Sequence, residues 1–523
     1  MRHNIPTGFS QGEISEAKSH ALPKLDGKRQ DLRDLPLITI DPDDAKDFDD
    51  AIFAQTDDSP KNKNGHIVWV AIADVSAYVR PGSALDKGAF KRGNSVYLPD
   101  RVEPMLPEEL SADLCSLKPN VERACLAVRM RFNAEGDKIG HKFVRGLMRS
   151  HARLTYDEAQ SVFKPKDGKT AKAALPVTDI LKDIYAAYEA VQIARERRGP
   201  LEIDMPERRV KVDSKGNVSS ITVRARFDAH KLVEEFMIQA NVSAAQSLDE
   251  KKANLIFRIH EPPNMEKIQG LSDFLPSMSL KWTMGERVTP KRFNRMIERA
   301  REKDLAETIS MSVLRTQMQA YYTPKNGGHF GLNLTHYAHF TSPIRRYADL
   351  IVHRALIKAF GLGDDGLSDE EAVRLKEISE HISTTERRAM AAERDAKDRY
   401  IASFLQDKVD SEFAGRIGGV TRAGLFVQLD DTGADGFVPA RNLGNERYIF
   451  DEKSKSLRGS DTGGTYKFGR RVQVRLLEVK PLQGGLIFEM LSEPEKGKRP
   501  KHTPQTHYRK RGGGYKGKGK RGH

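Results

Sequence analysis

The chain has 523 residues but only two cysteines, Cys115 and Cys125, and they form no CxxC pair. That scarcity excludes a disulfide framework and a Cys-rich zinc site, and it favours a reducing compartment, so a cytoplasmic location is expected. No run of about 18 apolar residues occurs, so no bilayer-spanning helix and no membrane partner are expected. The first residues, MRHNIPTGFSQGEISEAKSH, have no apolar stretch of the secretory-signal kind. Acidic residues are absent from Lys496 to His523, where eleven Lys and Arg stand unopposed. With 38% hydrophobic and 31% charged residues, the chain fits no collagen-like, fibrous or fully disordered class.

What is present is a long, basic chain. Its length suggests about three domains, or one large domain with satellites. The formal net charge is +14, and eleven of those charges sit in the final stretch, leaving +3 for the first 495 residues. The stretch KGKRPKHTPQTHYRKRGGGYKGKGKRGH is Gly-rich and poor in apolar groups. It cannot bury enough surface to offset its ordering entropy, so residues 492–523 are expected to be a disordered basic tail. Such a tail either contacts phosphates without regard to sequence, with salt-sensitive binding, or merely solubilises.

Residues 1 to about 36 read as a polar, irregular extension. LPLITI (35–40) and HIVWVAIADVSAYV (66–79) read as buried strands, and 121–145 as a hairpin around Asn133–Asp137. A helix is expected over about 177–198, stopped by Gly199-Pro200, and a second hairpin over 203–224 turning at Lys215-Gly216. From 228, Val233, Phe236, Met237, Ala240 and Ala244 recur at helical spacing. More helix is expected at 289–319, 343–361 and 370–405. Residues 408–491 return to a period of two with Gly-rich turns, as in a small β-barrel. No internal repeat is evident.

Two constellations carry chemistry. In Asp41-Pro42-Asp43-Asp44-Ala45-Lys46-Asp47-Phe48-Asp49-Asp50, six carboxylates fall within ten residues, directly after a buried strand. Carboxylates this close repel one another unless cations neutralise them, and hard cations such as Mg²⁺ take oxygen ligands. Two such ions about 4 Å apart suit phosphodiester hydrolysis. An EF-hand fails on Ala45 and Lys46, where Asp or Asn and then Gly are needed. Asp41-Pro42-Asp43 also fits an aspartyl-phosphate phosphatase, by a short and weak pattern. A solvated acidic turn is the plain alternative; the preceding strand and Phe48 argue against it. The second constellation is HYAHFTSPIRRYAD (336–349). Thr341 or Ser342 can cap a helix with Pro343 in its first turn, and Ile344, Ala348, Ile351, Val352 and Ala355 would form its buried stripe. Arg345 and Arg346 would then stand at the partly positive helix N-terminus, which makes sense if a phosphate binds there. An ion pair with nearby carboxylates is the equal alternative.

These stretches resemble the ribonuclease II/ribonuclease R (RNB) family of 3′→5′ exoribonucleases. The resemblance rests on DLRDLPLITIDPDDAKDFDDA (31–51), VAIADVSAYV (70–79), NSVYLPDRVEPMLPEELSADLCSL (94–117), ARLTYDEA (152–159), LVEEFMIQAN (232–241) and HFGLNLTHYAHFTSPIRRYADLIVHRAL (329–356). Within the family, DAKDFDDA and the basic tail are more similar to ribonuclease R. The resemblance implies that Asp41, Asp47, Asp49 and Asp50 hold one or two Mg²⁺ ions, with Asp49 catalytic, and that Asp43 and Asp44 stand outside that set. It implies that Arg345 lies near the scissile phosphate, with Arg346 beside it as a second RNA-binding cation, and that Tyr97 and Tyr156 pack on the RNA 3′ end. One of Glu234 and Glu235 would line the substrate pocket. GRIGGVTRAGLFVQLDDTGADGFVPARNL (415–443) resembles the OB-fold RNA-binding domain typified by ribosomal protein S1, with Phe426 and Phe437, and less surely Phe413, as stacking aromatics.

The expected fold is therefore α+β: a mixed-sheet and helical catalytic domain over 37–405, then an OB-fold barrel over 408–491. The implied reaction is Mg²⁺-dependent hydrolysis of single-stranded RNA from its 3′ end to nucleoside 5′-monophosphates, by a monomer. RNA with a 3′ overhang is a further implied substrate. A non-catalytic RNA-binding protein using the barrel and tail is the rival. The family usually carries cold-shock-type OB domains ahead of the catalytic one. The residues before Asp41 are too few for one, so either a naturally short or a truncated form is expected.

Overall fold

The structure, a computed structural model, describes residues 3–497 apart from 26, 166, 167 and 204. Most of the basic tail thus lies outside the described residues. The large domain is built on seven strands, β1 (Gln30–Leu32), β2 (Ile38–Asp41), β3 (Asp50–Thr56), β4 (His66–Ala73), β5 (Glu122–Phe132), β6 (Lys138–Arg149) and β7 (Ala152–Thr155). Their order in the sheet is β1-β6-β5-β4-β3-β2-β7. The inner pairs are antiparallel, while β1 and β7 run parallel to their neighbours. Every residue of β4 except His66 is buried. A strand apolar on both sides must be covered on both faces, which the Val/Ile run at 67–73 already required. The helices Thr178–Arg198 and Asp228–Glu250 pack against β3, β4 and β5.

The hairpin between β5 and β6 turns where expected. Asn133 and Asp137 close it with a backbone bond of 3.0 Å, and Gly136 takes φ +79°. The 178–198 helix stops at Gly199, which adopts the left-handed conformation. Five strands, Glu412–Thr421, Gly424–Leu429, Asp435–Pro439, Arg471–Lys480 and Gly485–Met490, close a barrel around Leu425, Val427, Val474 and Phe488. The 37-residue helix Asp369–Leu405 ties the parts together. Its Leu375, Ile378 and Ile382 belong to the large core, and its Ile401, Ala402 and Leu405 to the barrel core. The mixed α+β domain followed by a β-barrel is as expected.

Four local readings are corrected. The first 36 residues are not irregular throughout. Gln11–Ser19 is a helix with a Ser10–Glu13 capping box, Glu13 pairs with buried Arg92 at 2.7 Å, and Gln30–Leu32 joins the sheet. The 66–79 strand ends at Ala73, because Asp74 turns inward to Arg29 at 2.7 Å and Arg145 at 2.6 Å. Burial opposes its ionisation, but the two guanidiniums win and hold its carboxyl down at about 2. The 289–319 helix breaks into Pro290–Arg301 and Ala306–Thr316, with Asp304 at φ +55° between them. The 343–361 helix starts only at Tyr347.

Candidate active site

The acidic loop is the connection from β2 to β3, so Asp41 ends one strand and Asp50 opens its neighbour. Between them the chain is sewn to the core. Phe48 is buried, its N–H donates to Ser116 Oγ at 3.1 Å, and its carbonyl accepts from Leu117 N at 2.9 Å. Ser116 Oγ donates in turn to the Lys46 carbonyl at 2.7 Å, and the Asp49 carbonyl accepts from Ala73 N at 2.9 Å. This is not a solvated turn. Asp43 and Asp44 point to solvent and pair with Arg209 of the Arg208–Val212 strand.

The arginine segment meets this loop from 295 positions away. Residues 345–347 run alongside Gly93–Ser95: Ser95 N donates to the Arg345 carbonyl and Tyr347 N to the Gly93 carbonyl, each at 3.0 Å. That bridge holds Arg346 extended, and it explains why the helix starts late. The backbone N–H groups of Ser342 and Ile344 are spent on the carboxylates of Asp349, at 2.8 Å, and Asp49, at 3.0 Å. Arg345 and Arg346 therefore precede the helix rather than lie in its first turn. Arg346 forks onto buried Asp349 at 2.7 and 2.8 Å. Arg345 lies with its Nε 3.4 Å from Asp49 Oδ2, and its Nη2 donates to Ser342 Oγ at 2.9 Å. The ion-pair reading of these arginines holds for both.

Burial dominates the electrostatics. It pushes the Asp41 carboxyl up to about 8, aided by repulsion from Asp50 and Asp49. It pushes Asp50 up to about 6 against the pull of Arg345, and raises Asp49 well above the usual range. Asp41 Oδ2 and Asp49 Oδ2 are buried and receive no hydrogen bond. Hard oxygen donors left orphaned, on acids that repel one another, fit a hard divalent cation. Among the described residues, no three or more His, Cys, Asp or Glu side chains already close around a common point as a finished ligand set.

Two tyrosines flank this centre. The Tyr97 hydroxyl donates to Asp47 Oδ2 at 3.2 Å and its N–H to Glu393 Oε1 at 2.8 Å. Tyr97, 42% exposed, walls a cavity of about 230 Å³ with Asn94, Tyr322, Arg345 and Glu386. Tyr156 opens the helix Tyr156–Phe163 behind a Thr155–Glu158 capping box and stacks on His230 at 3.9 Å and 9°. Burial first, then the nearby charges of Asp50 and Asp41, raise its phenol, which places it beside the acids.

The structure separates Glu234 from Glu235. Glu235 is buried, forked by Arg198 at 3.0 and 3.1 Å, with Gln239 at 2.9 Å. Glu234 is exposed, pairs with Arg226 at 2.8 Å, and stands one helical turn from His230. On the barrel, Phe426 and Phe437 lie opposite one another on adjacent strands, rings 5.1 Å apart, with Phe426 44% exposed. Phe413 is half-buried against the barrel core. Sequence reasoning missed Arg153 and Glu393. Arg153 Nη2 donates to the carbonyls of Pro42 at 2.6 Å and Asp43 at 3.1 Å, bracing the loop from below Phe48. The ARLTYDEA stretch contains it, but no charge partner in sequence pointed to a backbone contact. Glu393 lies on the long helix expected over 370–405, where nothing in the sequence singled it out.

The RNB domain pattern matches residues 29–361 and the S1 RNA binding domain pattern residues 406–491. The chain belongs to the RNB family. Among its relatives is ribonuclease R of Escherichia coli, 38% identical over 99% of this chain and 64% of that protein. Ribonuclease R of Aquifex aeolicus is 37% identical over 95% of this chain and 70% of its own length. The chain thus spans just under two thirds of the length of the Escherichia coli relative. Among solved structures, Mycoplasma genitalium RNase R in complex with ribose-methylated single-stranded RNA superposes with a TM-score of 0.88 at 28% identity, covering 94% of this chain and 76% of that one. The same protein in complex with double-stranded RNA gives a TM-score of 0.81 at 27% identity, covering 94% and 81%. No helix among the described residues is long and apolar enough to cross a membrane.

Proposed function

We propose that the chain is a Mg²⁺-dependent 3′→5′ exoribonuclease that hydrolyses single-stranded RNA to nucleoside 5′-monophosphates. The observation that carries this reading is the meeting at Asp49. One of its oxygens is held by the Ile344 N–H, and the other faces Arg345 with no hydrogen bond of its own. Acid and guanidinium, brought together from distant segments and left incompletely satisfied, leave room for an ion and a phosphate.

Asp41, Asp47, Asp49 and Asp50 would hold the cation, which when bound would lend Lewis acidity to phosphodiester hydrolysis. Arg345, 40% exposed at its side chain, would offset charge growing on the phosphoryl oxygens. Tyr97 and Tyr156 would hold the terminal bases in line, and Glu234, on the face that carries His230, fits the pocket-lining acid better than buried Glu235. Phe426 and Phe437 would stack on upstream bases, and the Lys/Arg-rich tail would add sequence-blind phosphate contacts. The relatives' names and the two RNA complexes of the Mycoplasma protein support the substrate class.

The test is chromatographic. Single-stranded RNA incubated with the protein and Mg²⁺ should yield nucleoside 5′-monophosphates, and chelation or Asp49→Asn should stop their release. RNA that is bound but never shortened would favour a binding-only protein.

A further inference from the structure

A second cleft lies well away from the acids. It opens between β6 and the C-terminal part of the helix Asp228–Glu250, holds about 460 Å³, and is lined by Lys138, Ile139, Gly140, His141 and Phe360 among others. Four consecutive β6 residues on one wall mean that the strand is met edge-on, since alternate side chains point to opposite faces. Along that stretch β6 pairs only with β5, because β1 reaches no further than Gly146–Met148. Phe360 closes the helix Tyr347–Phe360, whose other end follows directly on Arg345 and Arg346. Fourteen residues of helix put about 20 Å between the two sites.

The cleft holds a half-buried lysine, Lys138, that has no ion-pair partner among the described residues. Lys138 Nζ donates to Ser243 Oγ at 2.6 Å and to Gln246 Oε1 at 2.9 Å, both neutral. An ammonium has three donors, and no carboxylate among the described residues lies within ion-pair distance of this one. Burial lowers its pKa to about 7, with Glu250 on the rim pulling the other way. His141, held to Ser247 Oγ at 2.7 Å, is kept neutral by burial and by Lys138. At the mouth, Lys251 Nζ sits 4.6 Å from the centre of the ring of Phe360, a residue 36% exposed, and Ile139 is 49% exposed. A half-buried lysine in a concave site, beside a part-exposed aromatic ring that carries a second cation on one face, is a pattern that takes an anion joined to a flat ring.

We propose that this cleft is a second ligand site for a phosphate monoester bearing a planar ring, of which a nucleoside 5′-monophosphate is the fitting class. The phosphate sits on Lys138 in place of its missing counter-ion, and the ring lies against Phe360 and Ile139. Glu250 sets the limit on charge: a ligand carrying several phosphates meets its carboxylate. The site does not depend on the catalytic reading, and it stands or falls separately.

Pyridoxal 5′-phosphate tests it, being itself a phosphate monoester on a flat ring. The Lys138 amine condenses with its aldehyde, one water leaves, and borohydride reduces the imine to a stable secondary amine that peptide mass mapping locates. In the full chain Lys138 should be tagged roughly tenfold faster than exposed Lys142 on the same strand, the ratio given by about 1.4 kcal/mol of prior binding. Adenosine 5′-monophosphate should protect Lys138 and not Lys142, and should do so at lower concentration than inorganic phosphate or adenosine alone. Because protection is read at Lys138 itself, nucleotide bound among the aspartates does not count. Lys251→Ala, a change on an exposed rim, should weaken that protection about threefold. Tagging of Lys138 no faster than Lys142, or protection by inorganic phosphate equal to that by the nucleotide, would overturn the proposal.

Discussion

Asp41→Asn should stabilise the metal-free protein, although it removes a residue of the proposed metal site. Burial and the neighbouring Asp50 and Asp49 push the Asp41 carboxyl from its ordinary 3.8 up to about 8. A raised folded-state pKa favours folding fully at low pH, and that advantage is lost as pH climbs towards the folded value. Between 3.8 and pH 7 that is about three units, or about 4 kcal/mol at about 1.4 kcal/mol per unit. The amide cannot ionise, so the variant escapes this loss. It keeps an unpartnered polar atom in the place of Asp41 Oδ2, and the repulsion is shared with Asp49 and Asp50, so a net gain of about 2 kcal/mol at pH 7 is expected, shrinking to near zero by about pH 4. The assay is urea unfolding in chelator, followed by the fluorescence of Trp69 in β4 and Trp282, the two tryptophans of the chain. Adding Mg²⁺ should reverse the order, since an ion at about a hundred times its Kd adds about 2.7 kcal/mol to wild type and less to the variant. A variant less stable than wild type in chelator at pH 7, or equal Mg²⁺ stabilisation of both, would refute the account of this cluster.

Arg345→Lys should lose most single-turnover cleavage while RNA affinity changes little, because a point charge cannot grip two phosphoryl oxygens as a planar fork does; a fall in affinity alone would make Arg345 a binding residue. Replacing Phe426 and Phe437 by Ala should weaken RNA binding by about 1–3 kcal/mol per stacked base, with the cleavage rate on short saturating strands unchanged. Ending the chain after Leu491 removes the eleven tail cations. That change should weaken binding most at low salt and flatten the slope of log K against log salt; parallel slopes would mean that the tail does not touch RNA.

Much of this was legible from local pattern. Strand period, the Asn133–Asp137 turn and the Gly199 stop act over a few residues, and there the reading and the structure agree. The acidic loop stood out by its charge density, and the structure ties it to the core around Phe48, as the preceding strand and Phe48 suggested. The failures lie where distant segments intervene. Pro343 behind Thr341 and Ser342 reads as a helix start, but the bridge to Gly93–Ser95 keeps Arg346 extended and delays the helix to Tyr347. Asp74 ends a strand that its neighbours would continue, because Arg29 and Arg145 claim it. Glu234 and Glu235 are adjacent and chemically alike, and only Arg198, at the end of another helix, separates them. Lys138 is one lysine among many until the fold sets it in a cleft against Ser243 and Gln246.

The central claim concerns direction and centre together. RNA labelled at its 5′ end, incubated with Mg²⁺, should shorten stepwise to a ladder that keeps its label until the last few nucleotides, and Asp49→Asn protein should leave it at full length. Label freed at once as a mononucleotide, cuts at internal positions, or an undiminished ladder from the Asp49→Asn protein would contradict the account.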